Sequence, residues 1–535
     1  MSAVQKSQLT TCGDPSDSAQ GLDESLLKRE SAEEDVSSDR HSLVLRDSEV
    51  FTSDRSKPTV LHQLMATVVV ALTQLEVGAT IGFAGVTLPQ LTDQSSDDLH
   101  FSTLESALFG SMMFVGALLG SLTVSVPMVR LGQRVTLLFS LPISLASWII
   151  LATAPTNWVV LLVRFFQGIT MSFITSSSST YVAELSHSTI RGRLMSTLDL
   201  SRQMGILVAY ALGSSNLTWR KVALTCGFVN TVIPFVCLLY LPNSPRWLAT
   251  QGYTDRAHKS LIFFRGPNYD VHKEMEDIRD ELEKTTNGGG NILDQLRQIR
   301  NPLILRYLII MSLVLFFMHF SGIIVVPTYI VVIINNADIS ISSYLCAVLI
   351  GIIRVVGAFF YVCIIDRIDR KPLFAMTCTI CSLCMIGLGV YFFDQDHDRR
   401  FHDQNWLPVV CLAVYSFFSV SPVIGLFRSE LFPSSVRSTV VPILYTLFFI
   451  GAFTALQSFP YIVLTLGSYG AFWISSGFSV FLAVLVVATV PETRGKTLEE
   501  ITELQIARSR RSMIKQVLGE ENAGSRCSVK CEVST

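Results

Sequence analysis

The octapeptide ELSHSTIR, from Glu184 to Arg191, decides the fold, because a second copy of its pattern occurs later in the chain. In ELFPSSVR, Glu430 precedes Arg437 by the same seven positions, and this copy begins 246 positions after the first. Two more pairs of motifs recur at nearly that offset: VRLGQR with DRIDRK, and PNSPRWL with PETRGKTL. Three pairs in the same order predict a duplicated unit. Many secondary transporters are built in this way, with a solute site between the halves.

The composition is that of a membrane protein. Half of the 535 residues are hydrophobic, and the mean hydropathy is +0.45. Charged residues make up 16% of the chain, whereas they make up about a quarter of the residues of soluble domains. Helical runs of about 20 apolar residues are long enough to cross a hydrocarbon core of about 30 Å. We therefore predict an all-α membrane protein of about twelve spans in two pseudo-symmetric six-helix bundles. The spans are predicted near 62–86, 104–127, 136–153, 158–181, 195–213, 221–241, 303–333, 343–365, 373–393, 406–427, 438–462 and 468–490.

The charges between the spans predict the orientation and the segments of the chain. An even number of spans puts both termini on one face, where the short loops carry nine Lys or Arg against four on the other face. The positive-inside rule therefore predicts cytoplasmic termini. The predicted segments are a disordered cytoplasmic tail at 1–59, a six-helix bundle at 60–241, an intracellular linker with short helices at 242–302, a second six-helix bundle at 303–490 and a cytoplasmic tail at 491–535.

The polar residues do not form the pattern of an enzyme site. No nucleophile, base and metal-ligand set is clustered outside the spans, so we predict no catalysis, no cofactor and no metal site. The net charge of -2 gives no sign of nucleic-acid binding, and the expected partners are the bilayer and a small solute. Asn216 begins an NLT glycosylation sequon in a short loop of the predicted outer side.

Six motifs resemble those of a known family. They are RFFQGITMSFITSSSSTYVAEL, PNSPRWL, FSGI, DRIDRKPL, SELFPSSVR and VPETRGKTLEEI, and the likeness covers roughly 60–505. They resemble the sugar porters of the major facilitator superfamily, in particular animal facilitative glucose transporters and insect trehalose transporters. The resemblance implies passive movement of a small solute by alternating access, with a sugar (trehalose or a hexose) expected first, in the plasma membrane. It also implies an inner gate of Arg164, Glu184, Arg191, Asp366, Arg370, Glu430, Arg437 and Glu492.

The sugar site implied by the resemblance is altered. The family pattern QQLSGIN of the seventh span reads MHFSGII from Met318 to Ile324, and GPxPW of the tenth span reads SPVIG from Ser421 to Gly425. Two amides, an Asn and the Trp are therefore replaced, so fewer groups remain to bond sugar hydroxyls. The predicted cavity residues are Asp199, Arg202, Gln203, His319, Ser321, Gly322, Tyr329, Arg354 and Gly425.

Charged residues replace neutral ones at two predicted cavity positions. Asp199 and Arg354 lie in opposite halves at similar depth, where a lone charge costs at least about 2.5–3.5 kcal/mol. We predict a salt bridge between them, with Arg202, three residues from Asp199, as the alternative partner. Three functions remain open: a sugar carrier, a carrier of a charged or zwitterionic solute that parts the pair, and a sensor that transports nothing. Two roles are open for His319: it carries a proton for coupled transport, or it is a neutral, hydrogen-bonded residue in the place of an amide of the family pattern.

Overall fold

The part of the protein that the structure describes is helical. The computed structural model describes residues 60–93, 98–187, 190–215, 217–266, 269–287, 299–339, 341–365, 367–397, 406–432 and 434–492. Every regular element in these ranges is a helix, which confirms the predicted all-α class. A π-helical turn at His319–Ile323 separates the helix Pro302–Phe317 from the helix Val325–Asn336. The α-helices are α1 Val60–Thr92, α2 Thr103–Thr123, α3 Ser125–Leu131, α4 Gln133–Ala152, α5 Asn157–Leu185, α6 Arg191–Gly213, α7 Trp219–Leu238, α8 Pro245–Thr250, α9 Thr254–Arg265, α10 Val271–Asn287, α11 Pro302–Phe317, α12 Val325–Asn336, α13 Ser343–Ile364, α14 Arg370–His397, α15 Trp406–Ser419, α16 Val423–Glu430 and α17 Ser434–Thr489.

Twelve membrane crossings can be counted in the described ranges. Ten helical stretches are long and apolar enough to cross a membrane. One of them contains two crossings, because the 56 residues of α17 turn at Gly467, whose φ of 73° favours glycine. The ten leave out α6, whose polar residues lower its hydropathy, but its 23 residues are enough to cross. The even number places Val60 and Glu492 on one face, called here the termini face; the other is the opposite face.

The helices bury polar side chains and expose apolar ones. The side chains of Phe139, Leu383 and Leu464 are 61%, 63% and 69% exposed, while Gln74 and Asn230 are buried. In water such an exposed apolar surface would be unfavourable, but in a bilayer it contacts hydrocarbon. The distribution agrees with a protein embedded in lipid on all sides.

Two apolar clusters show where the halves of the molecule meet. The larger cluster joins Val86 and Tyr210 of the first half to Ile334 and Ala347 of the second. All of its second-half members lie in the middle of their helices or nearer to the opposite face. The smaller cluster belongs to the second half near the termini face, and Leu200 is the one first-half residue packed against it. Among the described residues, the apolar contacts between the halves therefore lie from the middle of the helices toward the opposite face. The interface between the halves nearer to the termini face, called here the waterway, has fewer such contacts.

The short helices α8 to α10 lie between the halves in sequence and attach to the first half. Trp247 Nε1 of α8 donates to the carbonyl of Val129 at 3.0 Å. Arg265 at the end of α9 donates to the carbonyl of Leu185 at 2.7 Å and forms an ion pair with Glu274 of α10 at 2.6 Å. These contacts hold the connecting segment against the termini face of the first half.

Candidate solute pathway

The waterway is lined where α6 of the first half meets α13 of the second. Gly351 lets the two helices approach, since a Cβ there would lie 3.0 Å from Leu207 Cδ1 and 3.1 Å from Tyr210 Cδ2. One turn along α13, Arg354 is 4% exposed and its Nε donates to Gln203 Oε1 at 3.0 Å. Gln203, Leu207 and Tyr210 have the spacing of one helix face. The structure thus brings together two of the predicted cavity residues, Gln203 and Arg354.

The predicted salt bridge between Asp199 and Arg354 is wrong. Asp199 instead forms its ion pair with Arg202 on the same helix, the alternative partner named from the sequence. The reason is the position at which the two helices contact each other. Arg354 contacts α6 at Gln203, which lies one helical turn after Asp199. The side chains of Asp199 and Arg202 remain 35% and 28% exposed.

Two residues of the pathway were missed by sequence reasoning, Arg428 of α16 and Tyr445 of α17. Arg428 Nη2 donates to Tyr445 Oη at 2.8 Å, and its guanidinium lies 3.9 Å from the centre of the Tyr445 ring. Arg202 interacts electrostatically with both of these residues and with Arg354. A cluster of three arginines therefore spans the two halves.

The π-helical turn interrupts the seventh crossing beside this cluster. Gly322 has a φ of 94°, which breaks the regular helical hydrogen bonds. The freed carbonyl of Ser321 accepts a hydrogen bond from Tyr415 Oη at 3.0 Å, and Ser321 Oγ donates to the carbonyl of Met318 at 2.7 Å. Irregular backbone at membrane depth needs such partners. Ser321 and Gly322 therefore shape the turn through the backbone.

The remaining predicted cavity residues have different surroundings. His319 is buried, with its ring edge-on to Phe448 at 4.4 Å between centroids. Tyr329 is also buried, and its hydroxyl donates to the carbonyl of Leu456 at 3.3 Å. A Cβ added at Gly425 would meet open space. Of these three, Gly425 is the residue that adjoins free volume.

A seal closes the waterway toward the opposite face. Tyr210 Oη donates to the carbonyl of Pro327 at 2.8 Å, and Ser111 Oγ donates to Gln457 Oε1 at 2.8 Å. Gly85 lies against the same carbonyl, since a Cβ there would be 2.5 Å from Pro327 O. These contacts join α1, α2 and α6 to the second half.

In the first half, the predicted inner-gate residues Glu184 and Arg191 lie at the termini face. Glu184 accepts hydrogen bonds from Gln133 Nε2 at 2.9 Å and from Ser244 Oγ. Arg191 begins α6 and is exposed. The contacts of Glu184 fasten α5 to α4 and to the residue before α8.

In the second half, Glu492 binds the start of α14. Its two carboxylate oxygens accept from the backbone N–H groups of Arg370 and Lys371 at 3.1 Å and 3.0 Å. Negative charge is favourable at a helix N-terminus. Asp366 lies outside the described residues, as do the side chains of Glu430 and Arg437. The gate role of this set stays a prediction.

Arg164 does not fit the inner gate. It lies on α5 twenty positions before Glu184, about 30 Å away along the axis. It is fully buried and donates to the carbonyls of Thr80 at 2.9 Å and Phe109 at 3.2 Å. Arg164 thus links α5 to α1 and α2 inside the first half.

An ion pair joins the connections of the opposite face. Asp98 accepts from Arg220 Nη2 at 2.8 Å, and the Arg220 guanidinium holds the pKa of this carboxyl at about 2, below its ordinary 3.8. Arg220 also donates to the carbonyls of Ala152 and Ala154 at 3.0 Å and 2.9 Å.

Asn216 lies outside the described residues. In the described ranges, no group of three or more His, Cys, Asp or Glu could hold a metal ion.

The duplicated helical architecture agrees with a family match. The family model for sugar (and other) transporters matches residues 65–504. The chain belongs to the sugar transporter family. This match extends through both halves of the molecule and includes every pathway residue described above.

Relatives within the sugar transporter family include insect proteins. The facilitated trehalose transporter Tret1-2 homolog of Drosophila simulans is 28% identical over 453 residues, covering 83% of this chain and 91% of that protein. The facilitated trehalose transporter Tret1 of Polypedilum vanderplanki is 26% identical over 470 residues, covering 86% and 92%.

Solved structures confirm the major facilitator fold for this member of the sugar transporter family. The proton:xylose symporter XylE bound to 6-bromo-6-deoxy-D-glucose aligns with a TM-score of 0.69 at 21% identity, covering 83% of this chain and 99% of that chain. XylE from E. coli in a partially occluded inward-open conformation gives 0.68 at 19% identity, covering 82% and 99%.

Proposed function

We propose that the protein is a facilitative transporter that moves a small solute by alternating access, with a sugar (trehalose or a hexose) as the first candidate. The observation that carries the proposal is a polar pathway between duplicated halves, sealed on one side by Tyr210 and Gly85 against Pro327. Membership of the sugar transporter family supports the solute class. Rocking of the halves between two states exposes such a site to each face in turn.

The proposal includes the orientation and the moving parts. The termini face is cytoplasmic, which the excess of Lys and Arg in its short loops supports. The membrane is the plasma membrane. The bundles at 60–241 and 303–490 move against each other, and the connecting segment at 242–302 stays on the cytoplasmic face with the first bundle.

Uptake into oocytes that express the full chain tests the function. Labelled trehalose, glucose and fructose are supplied with and without an inward proton gradient, and surface expression is measured with an external tag. We expect saturable uptake of at least one sugar that stops at equal concentrations inside and outside. Accumulation driven by the proton gradient would replace facilitated transport by proton coupling. Confirmed surface expression without uptake of any of the three sugars contradicts trehalose and the hexoses as solutes.

A further inference from the structure

Among the described residues, the arginine cluster of the waterway carries positive charge that carboxylates balance only at Arg202. Arg202 interacts electrostatically with Arg354 and with Arg428. Among the described residues, Asp199 is the acid paired with this cluster, and its partner is Arg202. Arg354 bonds to a neutral amide and Arg428 to a neutral phenol. Within the part of the chain whose side chains the structure describes, two guanidinium groups are therefore left without an ionic partner.

The cluster also contains hydrogen-bond donors without acceptors. Nη1 of Arg354 and Nε of Arg202 are buried atoms without a hydrogen-bond partner. Buried donors are rarely unpaired in proteins, and an unpaired donor on a charged group is especially unfavourable. The planar fork of a guanidinium matches the oxygens of a carboxylate or a phosphate. The unpaired donors indicate that the site is completed by an anion.

Part of this cluster is accessible to solvent. The side chains of Asp199 and Arg202 are 35% and 28% exposed, and a Cβ at Gly425, one turn before Arg428 on α16, would meet no atom within 4 Å. The cluster lies on the termini-face side of the Tyr210–Pro327 contact, and it includes residues of both halves. A group bound here would therefore contact both moving parts of the molecule.

We propose that Arg202, Arg354 and Arg428 bind the anionic group of the transported solute. The solute is a small hydroxylated molecule with a carboxylate or a phosphate, such as a sugar acid or a sugar phosphate. This inference rests on the proposed transport function and names its substrate class. Asp199 holds the Arg202 side chain in place through Nη2, and the Nε of Arg202 stays available to the solute beside Arg354 and Arg428.

Transport by the purified full chain in proteoliposomes tests the substrate class. Labelled glucuronate, glucose 6-phosphate, glucose and trehalose are supplied at equal concentration. We expect uptake of at least one anion to exceed uptake of either neutral sugar at least fivefold, and the better anion identifies the group. Uptake of neutral sugars alone overturns the inference and leaves the proposed function intact. Uptake of none of the four overturns both.

Substitutions test the residues. Arg354→Gln and Arg428→Gln should each raise the half-saturation concentration of the preferred anion at least tenfold, and Arg354→Lys, which keeps the charge, should raise it less. The matched control is Arg130→Gln on α3, an exposed arginine outside the waterway, which should leave uptake unchanged. Equal effects of Arg130→Gln and Arg354→Gln would overturn the assignment.

A binding measurement on the unmodified protein covers the case in which a variant does not fold. Glucuronate or inorganic phosphate should raise the thermal unfolding midpoint of the detergent-purified protein, because a ligand that binds only the folded state stabilises it. Sodium chloride at the same ionic strength should not. An equal rise with sodium chloride shows charge screening and overturns the anion site.

Discussion

Glu76 in α1 shows how a single acid is accommodated inside the first half. It is 2% exposed, and Trp148 Nε1 donates to its Oε1 at 2.7 Å. Thr80 and Ser144 donate to the same oxygen, while the other oxygen has no partner. None of the ion pairs between described residues involves Glu76. The side chain therefore serves as an acceptor that holds α1 against α4.

The first prediction compares two replacements of Glu76. Glu76→Gln keeps a carbonyl oxygen whose two lone pairs can accept from Trp148 Nε1 and from the Ser144 hydroxyl, so the thermal unfolding midpoint should stay close to that of the wild type. Glu76→Leu leaves Trp148 Nε1 unpaired, at a cost of about 1–3 kcal/mol, and should lower the midpoint clearly. A midpoint as low for the Gln variant as for the Leu variant would show that the charge itself is needed.

The second prediction concerns Asp98 on the opposite face. Arg220 lowers the pKa of this carboxyl from 3.8 to about 2. A carboxyl with a lowered folded pKa stabilises the protein above its ordinary pKa, and this contribution is lost as the pH falls through the folded value. Since the side chain is 39% exposed, solvent screening limits the contribution to about 1 kcal/mol or less. Between about pH 4 and pH 2, the unfolding midpoint of the wild type should fall more steeply than that of Asp98→Asn. Parallel curves would contradict it.

At the scale of elements, the seventh crossing depends on one backbone conformation. The turn at His319–Ile323 contains Gly322. The carbonyl of Ser321, which the turn frees from the helical ladder, accepts a hydrogen bond from the hydroxyl of Tyr415. A Cβ at Gly322 would lie 2.7 Å from Met385 Cε and 3.0 Å from Tyr415 Oη. Both the backbone angle and the space therefore require glycine at this position.

The third prediction follows from this turn. Gly322→Ala should destabilise the protein by at least about 1–2 kcal/mol, because a non-glycine residue is strained at positive φ. The matched control is Gly477→Ala in α17, where a Cβ meets nothing within 4 Å and alanine favours a helix. Thermal unfolding of the two variants checks the difference. Equal midpoints would mean that the turn relaxes around a side chain.

At the scale of the whole molecule, the seal is made by close backbone approach. Gly85 of α1 lies against Pro327 of α12, with space for hydrogen only. Thr328, the next residue, is fully buried and packs against Gly110 of α2, where a Cβ would lie 3.1 Å from its Cγ2. A larger side chain at Gly85 must push the halves apart at the opposite face.

The fourth prediction tests that consequence. Gly85→Leu should increase the labelling of a cysteine placed at position 328, in a background without other reactive cysteines, by a membrane-impermeant maleimide added to intact cells. We expect labelling at least fivefold above that of the parent, and Gly477→Leu as the control should have no effect. Unchanged labelling in Gly85→Leu would show that the seal lies elsewhere.

The crossings could be predicted from the sequence because an apolar run is a local signal. The contacts between halves could not, because they depend on how each helix is rotated and where it crosses its neighbour. Asp199 and Gln203 are one turn apart, and the depth estimate did not distinguish which of them meets Arg354. Arg428 follows an apolar run, so its position in the sequence predicts a charge in a loop. Tyr445 lies within an apolar run, so its position predicts an ordinary aromatic residue of a span. Their contact exists only once α16 and α17 are packed.

The one-sided apolar seal has a consequence for how the molecule responds to its solvent. In alternating access, the space between the halves fills with water when they part at the termini face, and this water must leave when that side closes. Polymers too large to enter withdraw this water by osmotic stress and will favour the closed arrangement. The transport rate should therefore depend on the size of the osmolyte as well as on its concentration.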